Sequence, residues 1–166
     1  MELLDVYNEE GKVTGKVVQR GTDKKEYQKG EHPGIVQIFI ENSEGKFLIE
    51  KSSKDNGFKY LPVGGHIISG ETPINGIIRE TKEEIGLDLK EDEFKYLGFF
   101  IIDFPVRFIY YMNKDIDISK LRLQSSEVES VTYKTPTEML ELIDQGYMHP
   151  VHNQLMPKVL ELSRKK

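Results

Sequence analysis

Glu80, Glu83 and Glu84 are spaced so that a helix through them gathers three carboxylates on one side. Within an arc of roughly 100° on a helix of 3.6 residues per turn, like charges raise each other's pKa and repel. The cluster therefore costs stability unless a cation sits among its members. A hard divalent ion is the natural occupant. Mg²⁺ takes oxygen ligands octahedrally, keeps waters, and is usually held by a few carboxylates together with substrate phosphates. Bound in that way it bridges phosphate oxygens, neutralises charge on the leaving oxygen, and lowers the pKa of an attacking water. Hydrolysis at phosphorus is the chemistry these residues suit.

The element that must position them is a helix from Pro73 to about Ile85. Proline costs nothing in a first turn, Thr72 can cap that end, and Gly86 stops the other. Ile74, Ile77, Ile78, Thr81 and Ile85 recur at i, i+3, i+4 and form the buried stripe, with the glutamates at its edge. Nothing in that stripe neutralises them. Arg79 can instead pair with Glu71 through a bidentate guanidinium contact that ties the preceding loop to the helix.

From Gly65 to Leu87 the chain reads GHIISGETPINGIIRETKEEIGL, with Gly65, Glu71, Arg79, Glu80, Glu83, Glu84 and Gly86 at fixed offsets. At about 7% per residue type, seven such matches are expected on the order of once in a million sequences. The string resembles the Nudix box, G-x5-E-x7-R-E-U-x-E-E-x-G-U with U a bulky apolar residue. That box is the signature of Mg²⁺-dependent hydrolases of nucleoside and other organic diphosphates. Thr81 departs from it by standing at an aliphatic position, where its methyl can still pack.

The resemblance implies an α/β fold, a Nudix-type α/β/α sandwich with a mixed β-sheet, in which Glu80, Glu83 and Glu84 are catalytic and hold metal. It also implies that backbone carbonyl near Gly64 and Gly65 touches the ion, that Arg79 acts as a scaffold, and that Mn²⁺ can substitute for Mg²⁺. Many members carry an acidic residue just before a late strand that binds a second metal or acts as general base. Glu127 is the position that matches, an exposed loop glutamate being the alternative there.

The chain of 166 residues reads as one domain with a sizeable core, residues 1–30 forming an N-terminal β-hairpin extension and 31–163 the Nudix core. A net charge of −5 without a long basic run argues against broad nucleic-acid binding. With no cysteine there is no disulfide, thiol nucleophile or Cys-based zinc site. No basic-then-apolar leader or long apolar run is present, so a cytoplasmic protein without a membrane span is expected.

In order, the expected elements are strands at 3–7 and 13–20, a loop or short helix at 21–31, a buried central strand at 34–41, and a strand at 46–51. After the box come strands at 94–103 and 106–113, a half-buried strand at 127–133, and helices at 136–145 and 151–163. Gly64-Gly65 is placed in a loop that lets backbone approach a ligand.

For substrate contacts, His66 follows the double glycine and is the candidate phosphate ligand, while His32, His149 and His152 are assigned surface or supporting roles. Lys51, Lys54 and Lys59 read as solvated lysines or phosphate contacts, Lys51 being the candidate. Phe99 belongs to an aromatic group that is mostly core and from which one or two rings could stack on a planar substrate. The partner is a small-molecule diphosphate, and the hairpin could pair across a homodimer.

Two other functions compete. A non-catalytic Nudix sensor of nucleotides typically loses box glutamates, and all are present here. The leading hairpin and Gly30-Glu31-His32 resemble the branch related to isopentenyl-diphosphate isomerases. Those enzymes protonate a double bond with a cysteine that this chain lacks.

Overall fold

The computed structural model describes residues 2–165. Its centre is β3 (His32–Glu41), whose run Val36-Gln37-Ile38-Phe39-Ile40 is buried on both faces. β3 lies parallel to β8 (Val106–Asn113), from Gly34 opposite Val106 to Glu41 opposite Asn113. Antiparallel partners are β6 (Val63–His66) along β3 and β7 (Lys95–Ile101) along β8. A tight turn leads from β3 into β4 (Phe47–Ser52), which carries the short β5 (Tyr60–Leu61) and β9 (Val128–Lys134). The sheet is mixed.

Alternation along the strands sends two sets of side chains to opposite faces. Val36, Ile38, Ile40, Phe108 and Tyr110 pack on one side against Ile77 and Ile85 of α1 (Pro73–Ile85). Phe39, Phe47, Ile49 and Ile109 pack on the other against Met139 and Ile143 of α2 (Pro136–Asp144) and Leu155 and Val159 of α3 (His152–Ser163). The result is the α/β/α sandwich expected from the resemblance.

Helix α1 has the expected bounds. The Thr72 hydroxyl accepts from Asn75 N, and Gly86 closes the helix in the left-handed region at φ 70°. Thr81 is fully buried and its hydroxyl donates to Ile77 O at 2.7 Å. A polar group at an aliphatic position is thus satisfied within the helix.

Several expectations change. The hairpin of β1 (Leu3–Tyr7) and β2 (Val13–Gln19) does not lie on the sheet but joins it, with Val6 opposite Pro33 and Tyr7 opposite His32. Leu4, Val6 and Tyr7 are buried, and the Tyr7 ring fills the space that a side chain at Gly34 would need. Strand β7 stops at Ile101 because the chain turns at Asp103, whose φ is 72°, with Phe104 N donating back to Ile102 O. Of the surface and supporting roles open to His152, burial removes the first: it is 2% exposed, beside Phe39.

Candidate active site

Gly64 and Gly65 lie within β6, opposite Gln37 and Val36, and not in a loop. A Cβ on Gly64 would meet the Val36 carbonyl, and one on Gly65 would meet the Glu80 carboxylate. The glycines therefore let a helix side chain press its carboxylate onto strand backbone. One turn further along α1, Glu84 accepts a hydrogen bond from Gly64 N at 3.3 Å. Glu83 is the outermost of the three, with about half of its side chain exposed.

Arg79 organises this corner. Its Nε and Nη2 donate to the two Glu71 oxygens at 2.7 and 2.9 Å, and Nη2 also donates to His66 O at 3.1 Å. Its Nη1 reaches Glu80 and Glu83, each at 3.2 Å. Glu71 in turn accepts from Ile68 N at 3.1 Å, which fixes the loop before the helix. The Arg79–Glu71 pair is as expected, but Arg79 also partly neutralises two of the three clustered glutamates.

A fourth carboxylate was not singled out from the sequence. Glu50 on β4 is 2% exposed, faces Glu84, and leaves Oε2 without a hydrogen-bond partner among the described residues. Burial pushes both carboxyls well above the usual carboxylate range; their mutual repulsion adds to this in Glu50, and nearby Glu80 adds to it in Glu84. Burial likewise pushes Glu80 up to about 7, against the pull of Arg79. Buried acids that hold protons at neutral pH mark a place built for positive charge.

These groups line an open cavity of about 440 Å³ together with Glu127, Arg20, Lys54 and Phe58. Glu127 enters from the residue before β9 and pairs with Lys54 at 2.9 Å. The fold thus brings Glu80, Glu83, Glu84, Glu127, Arg79 and Gly65 to one cavity. It does not bring His66, Lys51 or Phe99 there. Burial holds the His66 ring below its ordinary pKa, and its carbonyl is used by Arg79. Lys51 pairs with Glu129 at 2.9 Å beside a second cavity with Lys59, Tyr60 and Tyr147. Phe99 packs against Gly11 of the hairpin turn and Phe108.

The donor set suits a hard divalent ion, since it is all carboxylate oxygen with one buried oxygen lacking a partner. As the side chains stand, no three acidic or histidine groups among the described residues close on a single point, Arg79 drawing Glu80 and Glu83 to itself.

A NUDIX domain model matches residues 31–159, and the chain belongs to the Nudix family. It is 31% identical over 156 residues to an uncharacterised Nudix hydrolase of Listeria innocua, covering 90% of this chain and 89% of that one. An RNA pyrophosphohydrolase of Campylobacter jejuni is 34% identical over 90 residues, 52% of this chain and 57% of the relative. Among solved structures, a Deinococcus radiodurans protein superposes with a TM-score of 0.69 at 24% identity, covering 88% and 91% of the two chains. The NUDIX domain of Shewanella oneidensis NrtR, crystallised with ADP-ribose, gives a TM-score of 0.63 at 15% identity over 85% and 93%. The chain is a Nudix hydrolase, an enzyme of pyrophosphate bonds, in a family that generally uses divalent cations.

Proposed function

We propose that the protein hydrolyses the diphosphate linkage of a nucleoside or other organic diphosphate, with Mg²⁺ as its cofactor and Mn²⁺ able to replace it. The observation that carries this reading is the row of buried carboxyls, Glu50, Glu84 and Glu80, on the wall of an open cavity. Burial holds their pKa values high, a cost that bound positive charge relieves. In this reading Glu80, Glu83 and Glu84 hold the metal together with the Gly65 backbone carbonyl. The ion, when bound, supplies Lewis acidity toward phosphate oxygens and a more acidic water.

The protein's own groups do the rest. Arg79 keeps the loop and helix in register through Glu71 and holds Glu80 and Glu83 at the cavity wall. In this reading Glu127, just before β9, accepts the proton of the attacking water. Lys54 pairs with that carboxylate at 2.9 Å and holds it at the cavity wall. A cytoplasmic location belongs to the same proposal; no helix among the described residues is long and apolar enough to cross a membrane.

Replacing Glu83 and Glu84 together by glutamine removes two ligand charges while keeping shape. Turnover of a panel of X-diphosphates should vanish with the far-ultraviolet circular dichroism unchanged. Wild-type rates in that variant would refute the assignment.

A further inference from the structure

Six glutamates line the cavity, Glu2, Glu50, Glu80, Glu83, Glu84 and Glu127, against three cations, Arg20, Arg79 and Lys54. An anionic diphosphate entering there needs positive charge beyond a divalent ion. Arg79 cannot give it. Its five N–H groups meet five acceptors: two Glu71 oxygens, Glu80, Glu83 and the His66 carbonyl. Lys54 is paired with Glu127.

Arg20 is placed differently. It follows directly on β2, in the hairpin outside the matched residues 31–159, so nothing in the family match assigns it a role. Among the described residues its guanidinium makes one hydrogen bond, Nη1 to Glu2 Oε1 at 2.8 Å, and about half of the side chain is exposed. Four of its five N–H groups are left for a ligand. It lines the same cavity as Glu80, Glu83 and Glu84. A planar fork of donors fits phosphate oxygens in pairs, which an ammonium does not.

We infer that Arg20, carried to the cavity by the N-terminal hairpin, grips non-bridging oxygens of the substrate's diphosphate, exchanging its exposed Glu2 partner for them. This rests on the hydrolase reading for its substrate, though not for its binding readout. The hairpin is then part of the active site, and Arg20 is a substrate-binding residue.

The test is calorimetric binding of inorganic pyrophosphate in Mg²⁺ to the full chain, with Arg20→Ala and Glu2→Gln, alongside steady-state kinetics on whichever panel compound is turned over. Loss of a charge-assisted phosphate contact on a half-exposed side chain should weaken pyrophosphate binding about tenfold. It should raise KM similarly, with kcat within about threefold. Glu2→Gln breaks the same ion pair but keeps the cation and removes a repelling carboxylate, so pyrophosphate should bind as tightly as to wild type or more tightly. Were Arg20 only a brace for the hairpin, both variants would lose affinity alike. That result, unchanged binding by Arg20→Ala, or no binding by wild type, would overturn the inference. Weakened binding in Arg20→Ala without any turnover by wild type would instead overturn the hydrolase reading and leave Arg20 standing.

Discussion

Glu80, Glu84 and Glu50 carry the main chemical information at the scale of single residues. Each holds its proton more tightly in the folded chain than in the unfolded one. For Glu80 the folded value is about 7, against an ordinary 4.5. Folding therefore takes up protons between those values, and stability of the metal-free protein should fall as pH rises through that window. A thermal melt in EDTA should show a lower Tm at pH 7.5 than at pH 5.5, and Mg²⁺ should raise Tm more at the higher pH. A metal-independent Tm, flat across that range, would contradict the electrostatic account. Not all of this was legible in the sequence. Glu80, Glu83 and Glu84 share one helix, so spacing alone groups them. Glu50 lies on a strand thirty residues earlier, and only its place at the end of the apolar run Phe47-Leu48-Ile49 hinted that it was buried. His66, Lys51 and Phe99 show the converse. Nearness in sequence or residue type suggested them, but none of the three lines the cavity, Lys51 lying beside a second cavity and Phe99 against the hairpin turn.

At the scale of elements, the pairing of β6 with α1 decides whether the acids form a site at all. Helix α1 was readable because proline, cap, stripe and terminating glycine are local signals. The strand nature of Gly64-Gly65 was not, since glycine is poor in strands and only pairing with Val36 and Gln37 makes it one. Gly65→Ala tests that pairing. The new methyl would occupy the position of the Glu80 carboxylate, the movable end of a side chain, so the fold should survive while the carboxylate is displaced. Misplacement on that scale typically costs about a hundredfold in rate. Equal kcat/KM in Gly65→Ala and wild type would show that the Glu80 position does not matter.

For the whole molecule, a three-layer sandwich around a mixed sheet follows from apolar strands and one amphipathic helix, and the resemblance supplied the particular topology. Local reading missed how the ends of the chain join it. The turn within the hairpin is local, but its pairing with β3 joins residues about 25 apart in sequence, which no spacing rule forecasts. Leu4, Val6 and Tyr7 bury fully in consequence. Removing residues 1–29 should therefore lower Tm by several degrees or more and expose the Gly34 edge, as losing even one large buried side chain costs about 2–5 kcal/mol. A truncated chain that melts like the full one would mean the hairpin is dispensable.

The central claim is metal-dependent hydrolysis of a diphosphate by the α1 carboxylates. It is tested most directly by following phosphate or nucleotide release from a panel of nucleoside triphosphates, ADP-ribose, nucleotide sugars and dinucleoside polyphosphates. Wild type and the Glu83→Gln, Glu84→Gln double variant would be run in parallel, each in Mg²⁺ and in EDTA. Turnover of at least one class by wild type in Mg²⁺, lost both in EDTA and in the variant, is the expected result. Turnover that persists in EDTA or in the variant would contradict the account.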